Sequence, residues 1–249
     1  MNMRIDVPKA VAVCVKQLNG VILDEVLVQP KFANADYWFQ DANIVAELKC
    51  LTEDLSTNAI FNNSVLALYA TWVKRGLVPR TAGGNVRMNL RDLPLQCARE
   101  YLEPIKKRLE ASTIKKANRQ IRETKKHFNA PDAKGLLLLV NDGNYMLPPT
   151  MMVPILLRIL KGQHSSISSV IYFSVNEHST VPGIDMPSLF WIDALVPGRE
   201  PVSSVFREAL RKAWMVQYSH LVLEPIYEIE ASMHANIIDN IQFVRDNAV

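Results

Sequence analysis

The run Lys134-Gly-Leu-Leu-Leu-Leu-Val-Asn141 limits the possible folds more than any other feature of the chain. Strand side chains alternate between the two faces of a sheet, so a strand that is apolar at every position must hide both. Strands of this kind belong to sheets covered by helices on each side. Ser169–Val175 (SVIYFSV) is a second such run, and Pro148–Leu160 between them has helical character. The chain is therefore expected to be α/β, with a mixed central sheet and flanking helices.

The remaining segments fit that expectation. Val7–Leu18 reads as a short helix with Pro8 in its first turn, closed by Asn19-Gly20. Val21–Val28 suits either a strand or a helical turn. Ala35–Phe39 and Asn43–Cys50 are short extended runs around the polar break Gln40-Asp41-Ala42, which predicts a β-hairpin. Thr52, followed by two acids, is expected to open a helix that runs to about Lys74. Gly76–Pro94 has loop chemistry. Pro94–Phe128 should be helical with a break at Glu103-Pro104, where proline removes a hydrogen bond. Phe190–Val196 suits an edge strand and Val202–Tyr218 an amphipathic helix, while the last thirty residues are ambiguous. These elements make one α/β domain over 1–249, with a basic helical segment at about 76–128 inserted between core strands.

Composition excludes several classes. With 9 Gly, 14 Pro and 21% charged residues in 249, the chain is neither collagenous nor disordered. Its longest apolar runs fall well short of the roughly 20 residues that span a bilayer, and no secretory leader is evident. Cys14, Cys50 and Cys97 are widely spaced and odd in number, which fits free thiols in a reducing, cytoplasmic setting. The five histidines lack the spacing of a zinc hydrolase. No phosphate-binding glycine loop and no G-x-S-x-G elbow is present.

Charge is unevenly spread. Residues 74–126 hold 15 Lys/Arg and 5 Asp/Glu, whereas the rest of the chain holds 13 and 20. Positive charge concentrated in this way attracts polyanions.

The chemistry gathers in the predicted hairpin. A turn at Asp41-Ala42 pairs residues whose numbers sum to 83, which sets Asp36 opposite Glu47 with Cβ atoms roughly 5 Å apart. Two carboxylates so placed repel unless a cation or proton lies between them. Lys49, two residues beyond Glu47, falls on the same face, and Ile44, Ala46 and Leu48 form the apolar face behind. Carboxylate oxygens suit Mg²⁺, which is commonly held by one or two carboxylates plus substrate phosphate. A metal so held activates water and neutralises phosphoryl charge.

Asp36, ten intervening residues and then Glu47-Leu48-Lys49, after an apolar run and before a helix, resembles the PD-(D/E)xK (restriction-endonuclease-like) nuclease superfamily. The resemblance covers about half the chain, and Ala35 stands where the name-giving proline would sit. It implies a restriction-endonuclease-like core and a Mg²⁺-dependent nuclease, with Mn²⁺ able to substitute. Asp36, Glu47 and the Leu48 carbonyl would hold the metal, and Lys49 would act on the water. Gln120 resembles the glutamine that family members carry on a helix after this strand, where it helps organise the site.

Ile114–Phe128 is a basic helix whose Lys115, Arg119, Arg122 and Lys126 recur every three or four residues, a stripe suited to a phosphate backbone. Ile114, Ala117, Ile121 and Phe128 form its apolar side. Tyr37, Trp38 and Phe39 suit core packing. Asp41 belongs to the turn, Asn141-Asp142-Gly143-Asn144 is a strand-end turn, and Asp24 and Glu25, Glu25 in particular, are candidates for an additional carboxylate. The expected activity is hydrolysis of phosphodiester bonds in DNA more than RNA, with a homodimer where both strands are cut. The rival reading is an inert nucleic-acid-binding or assembly protein of the same fold.

Overall fold

A computed structural model describes residues 4–80, 90–181, 184–223 and 242–243. The helices are α1 (Val7–Gln17), α2 (Leu23–Val26), α3 (Ala59–Lys74), α4 (Leu95–Leu109), α5 (Lys115–His127), α6 (Pro149–Leu160) and α7 (Ser204–Val222). The strands are β1 (Val21–Ile22), β2 (Tyr37–Phe39), β3 (Ile44–Leu51), β4 (Lys134–Asn141), β5 (Ser169–Ser174), β6 (Ser179–Val181), β7 (Ile184–Ser188), β8 (Trp191–Leu195) and β9 (Gln242–Phe243).

The central sheet has six strands in the order β1-β2-β3-β4-β5-β8. β1, β2 and β3 are successively antiparallel, β3, β4 and β5 parallel, and β8 closes the far edge antiparallel to β5. The expected mixed sheet with flanking helices is therefore present. The sequence did not signal the small β7-β6-β9 sheet. Of the ambiguous last thirty residues, 224–241 and 244–249 lie outside the described ones.

Both faces of β4 are covered, as its composition requires. Leu137 and Leu139 pack with Ile105, Ile121, Met152 and Leu156 from α4, α5 and α6, and with Ile114 of the turn that joins α4 to α5. Leu136, Leu138 and Val140 pack with Val11 and Val15 of α1 and Leu210 and Trp214 of α7. Each buried leucine contributes about 1.5–3 kcal/mol relative to exposure. Gly135 is required at the start of this strand, because a Cβ there would meet the Ser166 carbonyl oxygen at 1.8 Å.

Two expected boundaries are corrected. The helix after the hairpin does not begin at Thr52: Asn58 caps it, accepting from the Phe61 amide at 2.9 Å, after a 3₁₀ turn at Leu55–Thr57 capped by Asp54. An Asn side chain that reaches the third amide satisfies an otherwise orphaned donor, and this decides the start. Nor does the chain break at Glu103-Pro104, since α4 continues through Pro104. Burial of Ile105 and Leu109 on the core side offsets the missing hydrogen bond. The irregularity falls instead at Glu110–Ile114, a π-helical turn that joins α4 to α5 and keeps Leu109, Ile114 and Ala117 all on the core. Of the predicted loop at Gly76–Pro94, residues 81–89 lie outside the described ones. Among those described, no helix is long and apolar enough to cross a membrane.

Candidate functional site

The hairpin forms in the expected register: Tyr37 pairs with Ala46, Trp38 with Val45 and Phe39 with Ile44. Its turn is closed by the Asn43 amide donating to the Gln40 carbonyl at 3.0 Å, with Asn43 at φ 53°. Asp41 is exposed in that turn, and Tyr37, Trp38 and Phe39 are all buried.

β3 outruns β2, and the site lies where β2 stops. One step beyond the last pair, Asp36 faces Glu47. Its Oδ2 accepts from the Leu48 amide at 2.7 Å, and its own amide donates to Glu47 Oε2 at 3.2 Å. The Asp36 carboxylate thus takes the position that a longer β2 would fill with backbone.

The chain leaves the sheet here because α5 holds it. The Ala35 amide donates to Thr124 Oγ1 at 2.7 Å, the Ala33 amide to Glu123 Oε2 at 2.9 Å, and Gln120 Nε2 donates to the Asn34 carbonyl at 2.9 Å. Gln120 therefore stands beside the site, bonded to the backbone two residues before Asp36. The sequence reading missed Glu123 and Thr124. Their spacing of three and four from Gln120 puts all three on one side of α5, a signal visible only once residues 33–35 are known to run alongside.

Lys49 Nζ is bonded to Glu47 Oε1. Glu47 has no exposed surface, while the Lys49 side chain keeps 26% of its own. Burial, reinforced by the Asp36 charge, pushes the Glu47 carboxyl up to about 8 against the opposing influence of Lys49. Burial also raises Asp36, opposed by the Leu48 amide and by Lys49. Glu25 is turned away from this pair and bonded to Lys16 at 2.9 Å. Asp24 bonds to Asn34 Nδ2 at 2.8 Å, and its charge raises Asp36 further. Of the two acids before the hairpin, Asp24 is the one that acts on the site.

These residues fit a divalent cation. Burial and the Asp36 charge both disfavour an ionised Glu47, and a cation beside the two carboxylates would relieve that penalty. The N–H and C=O of one strand residue face the same edge, so the Leu48 carbonyl lies on the side where its amide meets Asp36. Among the described residues no three His, Cys, Asp or Glu side chains gather closely enough to share an ion. Two carboxylates are nonetheless the number Mg²⁺ commonly takes when phosphate supplies the rest.

Lys115, Arg119, Arg122 and Lys126 are all exposed on α5, opposite the buried Ile114, Ala117 and Ile121. Arg119 and Arg122 both approach Glu123, at 3.9 and 3.8 Å. Lys125 turns the other way and donates to the Ser166 carbonyl at 3.1 Å, and burial lowers its ammonium to about 8. The candidate carboxylates and the cationic stripe are thus joined by one helix, which presents cations outward and holds the backbone before Asp36 inward. Comparisons of the chain with protein families, curated proteins and solved structures found no match.

Proposed function

We propose that the chain is a metal-dependent nuclease with a restriction-endonuclease-like core, hydrolysing phosphodiester bonds in DNA more than in RNA. The observation that carries this reading is the opposition of Asp36 and a fully buried Glu47, with Lys49 bonded to Glu47. Support for the core comes from the antiparallel hairpin that carries these residues and leads into parallel β4 and β5.

Asp36, Glu47 and the Leu48 carbonyl would hold Mg²⁺ or Mn²⁺, which when bound lowers the pKa of water and neutralises charge on a phosphoryl oxygen. The protein's own groups position and exclude. The α5 stripe sets the phosphate backbone beside the hairpin. The Leu48 amide fixes one Asp36 oxygen, so the carboxylate keeps its orientation before substrate arrives. Lys49, partly exposed above Glu47, orients the attacking water by donating to it. The dry surroundings of Glu47 strengthen the charge interactions made at its own carboxylate. One site per chain cuts one strand, so cutting both strands calls for a second copy.

The test is incubation of circular and linear DNA with the protein, with and without Mg²⁺ or Mn²⁺. Nicking or shortening that needs the ion and is lost in Glu47→Gln is the expected result. Equal cleavage by the Glu47→Gln protein refutes the assignment.

A further inference from the structure

Where α5 ends, an open hollow of about 530 Å³ is lined by Phe32, Arg122, Glu123, Lys126 and His127. Its size lies within the range of ligand sites. The Phe32 and His127 rings are stacked, with centroids 4.5 Å apart and planes 24° from parallel. His127 meets Phe128 edge-on at 4.9 Å, and Phe128 stacks on Trp38 at 5.6 Å. A file of rings thus leads from the surface to Trp38 on β2, the strand that begins just after Asp36. Glu123, the acid in the hollow, is bonded to the Ala33 amide and lies 3.9 Å from Arg119, which stands outside the lining. Arg122 and Lys126 leave the rim positive.

We propose that this hollow binds an unpaired base of a single-stranded nucleic acid, stacked on the Phe32–His127 pair with its phosphate on Arg122 and Lys126. The inference deepens the nuclease reading and rests on it for the substrate's path to Asp36. Aromatic rings beside a cationic groove are how proteins hold single strands, because every base has a stacking face and only an unpaired one can present it. A paired base, stacked inside a duplex, cannot enter. Phe32 is four residues before Asp36, which bounds their separation at about 14 Å of extended chain. A short run of nucleotides bridges that distance, so the preferred cut lies near an unpaired stretch such as an overhang or a flap.

The experiment measures binding of the full chain, without divalent ions, to a fluorescent single-stranded DNA oligonucleotide and to its duplex. Phe32→Ala and His127→Ala should each weaken single-strand binding about tenfold, within the range for losing one stacking surface, and change duplex binding less than twofold. Phe32→Trp should restore it, whereas Phe32→Leu, which keeps apolar bulk and packing, should not. Equal losses on both DNAs, full binding by Phe32→Leu, or no single-strand binding by the unaltered protein would overturn the proposal. Mg²⁺-dependent cleavage is scored separately on the same proteins. Stacking without cleavage would retain the base site and refute the nuclease; duplex cleavage unaffected by Phe32→Leu, with no single-strand preference, would do the reverse.

Discussion

The Leu48 amide donates to Asp36 Oδ2 at 2.7 Å, and this bond joins the two ends of the candidate site. It exists because β2 stops at Tyr37 while β3 continues to Leu51, which leaves the Leu48 amide to be satisfied by a side chain. A backbone donor inside a protein requires a partner, and the partner here is the carboxylate that the proposed chemistry uses.

Asp36→Asn, Glu47→Gln and Lys49→Ala should each lower Mg²⁺-dependent cleavage by about 10²-fold or more, the usual scale for removing one transition-state contact. Each leaves the cationic stripe of α5, the proposed DNA-binding surface, unchanged. Asp41→Asn, in the exposed turn, should keep nearly full activity. Rates on a supercoiled plasmid, measured for all four proteins side by side, check the set.

Burial of Glu47 has a consequence for stability without metal. Its carboxyl, near 4.5 in the unfolded chain, is raised to about 8 in the fold, so its contribution is fully present below about 4.5 and is lost as pH rises through about 8. The slope reaches about 1.4 kcal/mol per pH unit for one titrating group. Glu47→Gln, which carries no such penalty, should therefore melt progressively higher than the parent protein between pH 5 and pH 8. Thermal melts in chelator across that range read the difference, and added Mg²⁺ should narrow it by stabilising the parent alone.

Thr124 has no exposed surface and accepts the Ala35 amide. Thr124→Val keeps the shape but leaves that buried donor unpaired, a cost of about 1–3 kcal/mol. Tm should fall about 2–4 °C per kcal/mol for a chain of this size. Cleavage should fall further than stability predicts, because residues 33–35 no longer hold Asp36 in place. Activity assayed well below Tm separates the two effects.

Lys115, Arg119, Arg122 and Lys126 are assigned to phosphates. Replacing any one by Ala should weaken duplex binding alike across sequences and lower the salt slope by about one. Titrations at several salt concentrations on two unrelated duplexes check this, and a loss confined to one sequence would mean that the helix reads bases.

Several features were legible because they depend on local periodicity. The unbroken Leu136–Val140 run forecasts a strand with two covered faces, and alternation through Ile44–Lys49 forecasts which side chains share a face. The hairpin register followed from its turn, and it placed Asp36 opposite Glu47. The apolar side of α5 was equally readable from its spacing. None of these requires knowledge of what lies across the sheet.

The remainder depended on groups distant in sequence. Whether Glu25 or Asp24 faces the site turns on Asn34 and Lys16, and where the helix after the hairpin begins turns on which side chain reaches a free amide. That Pro104 lies within a helix depends on the core burying Ile105 and Leu109 strongly enough to offset one lost hydrogen bond. Glu123 and Thr124 read as ordinary helix residues until residues 33–35 are laid along α5, 89 positions away from Thr124 at Ala35. Phe32 and His127 form a stack only because the same three hydrogen bonds draw their segments together. Periodicity specifies faces, whereas partners across the fold are chosen by which buried donors and acceptors can be satisfied at once, and that choice is made only by the folded chain.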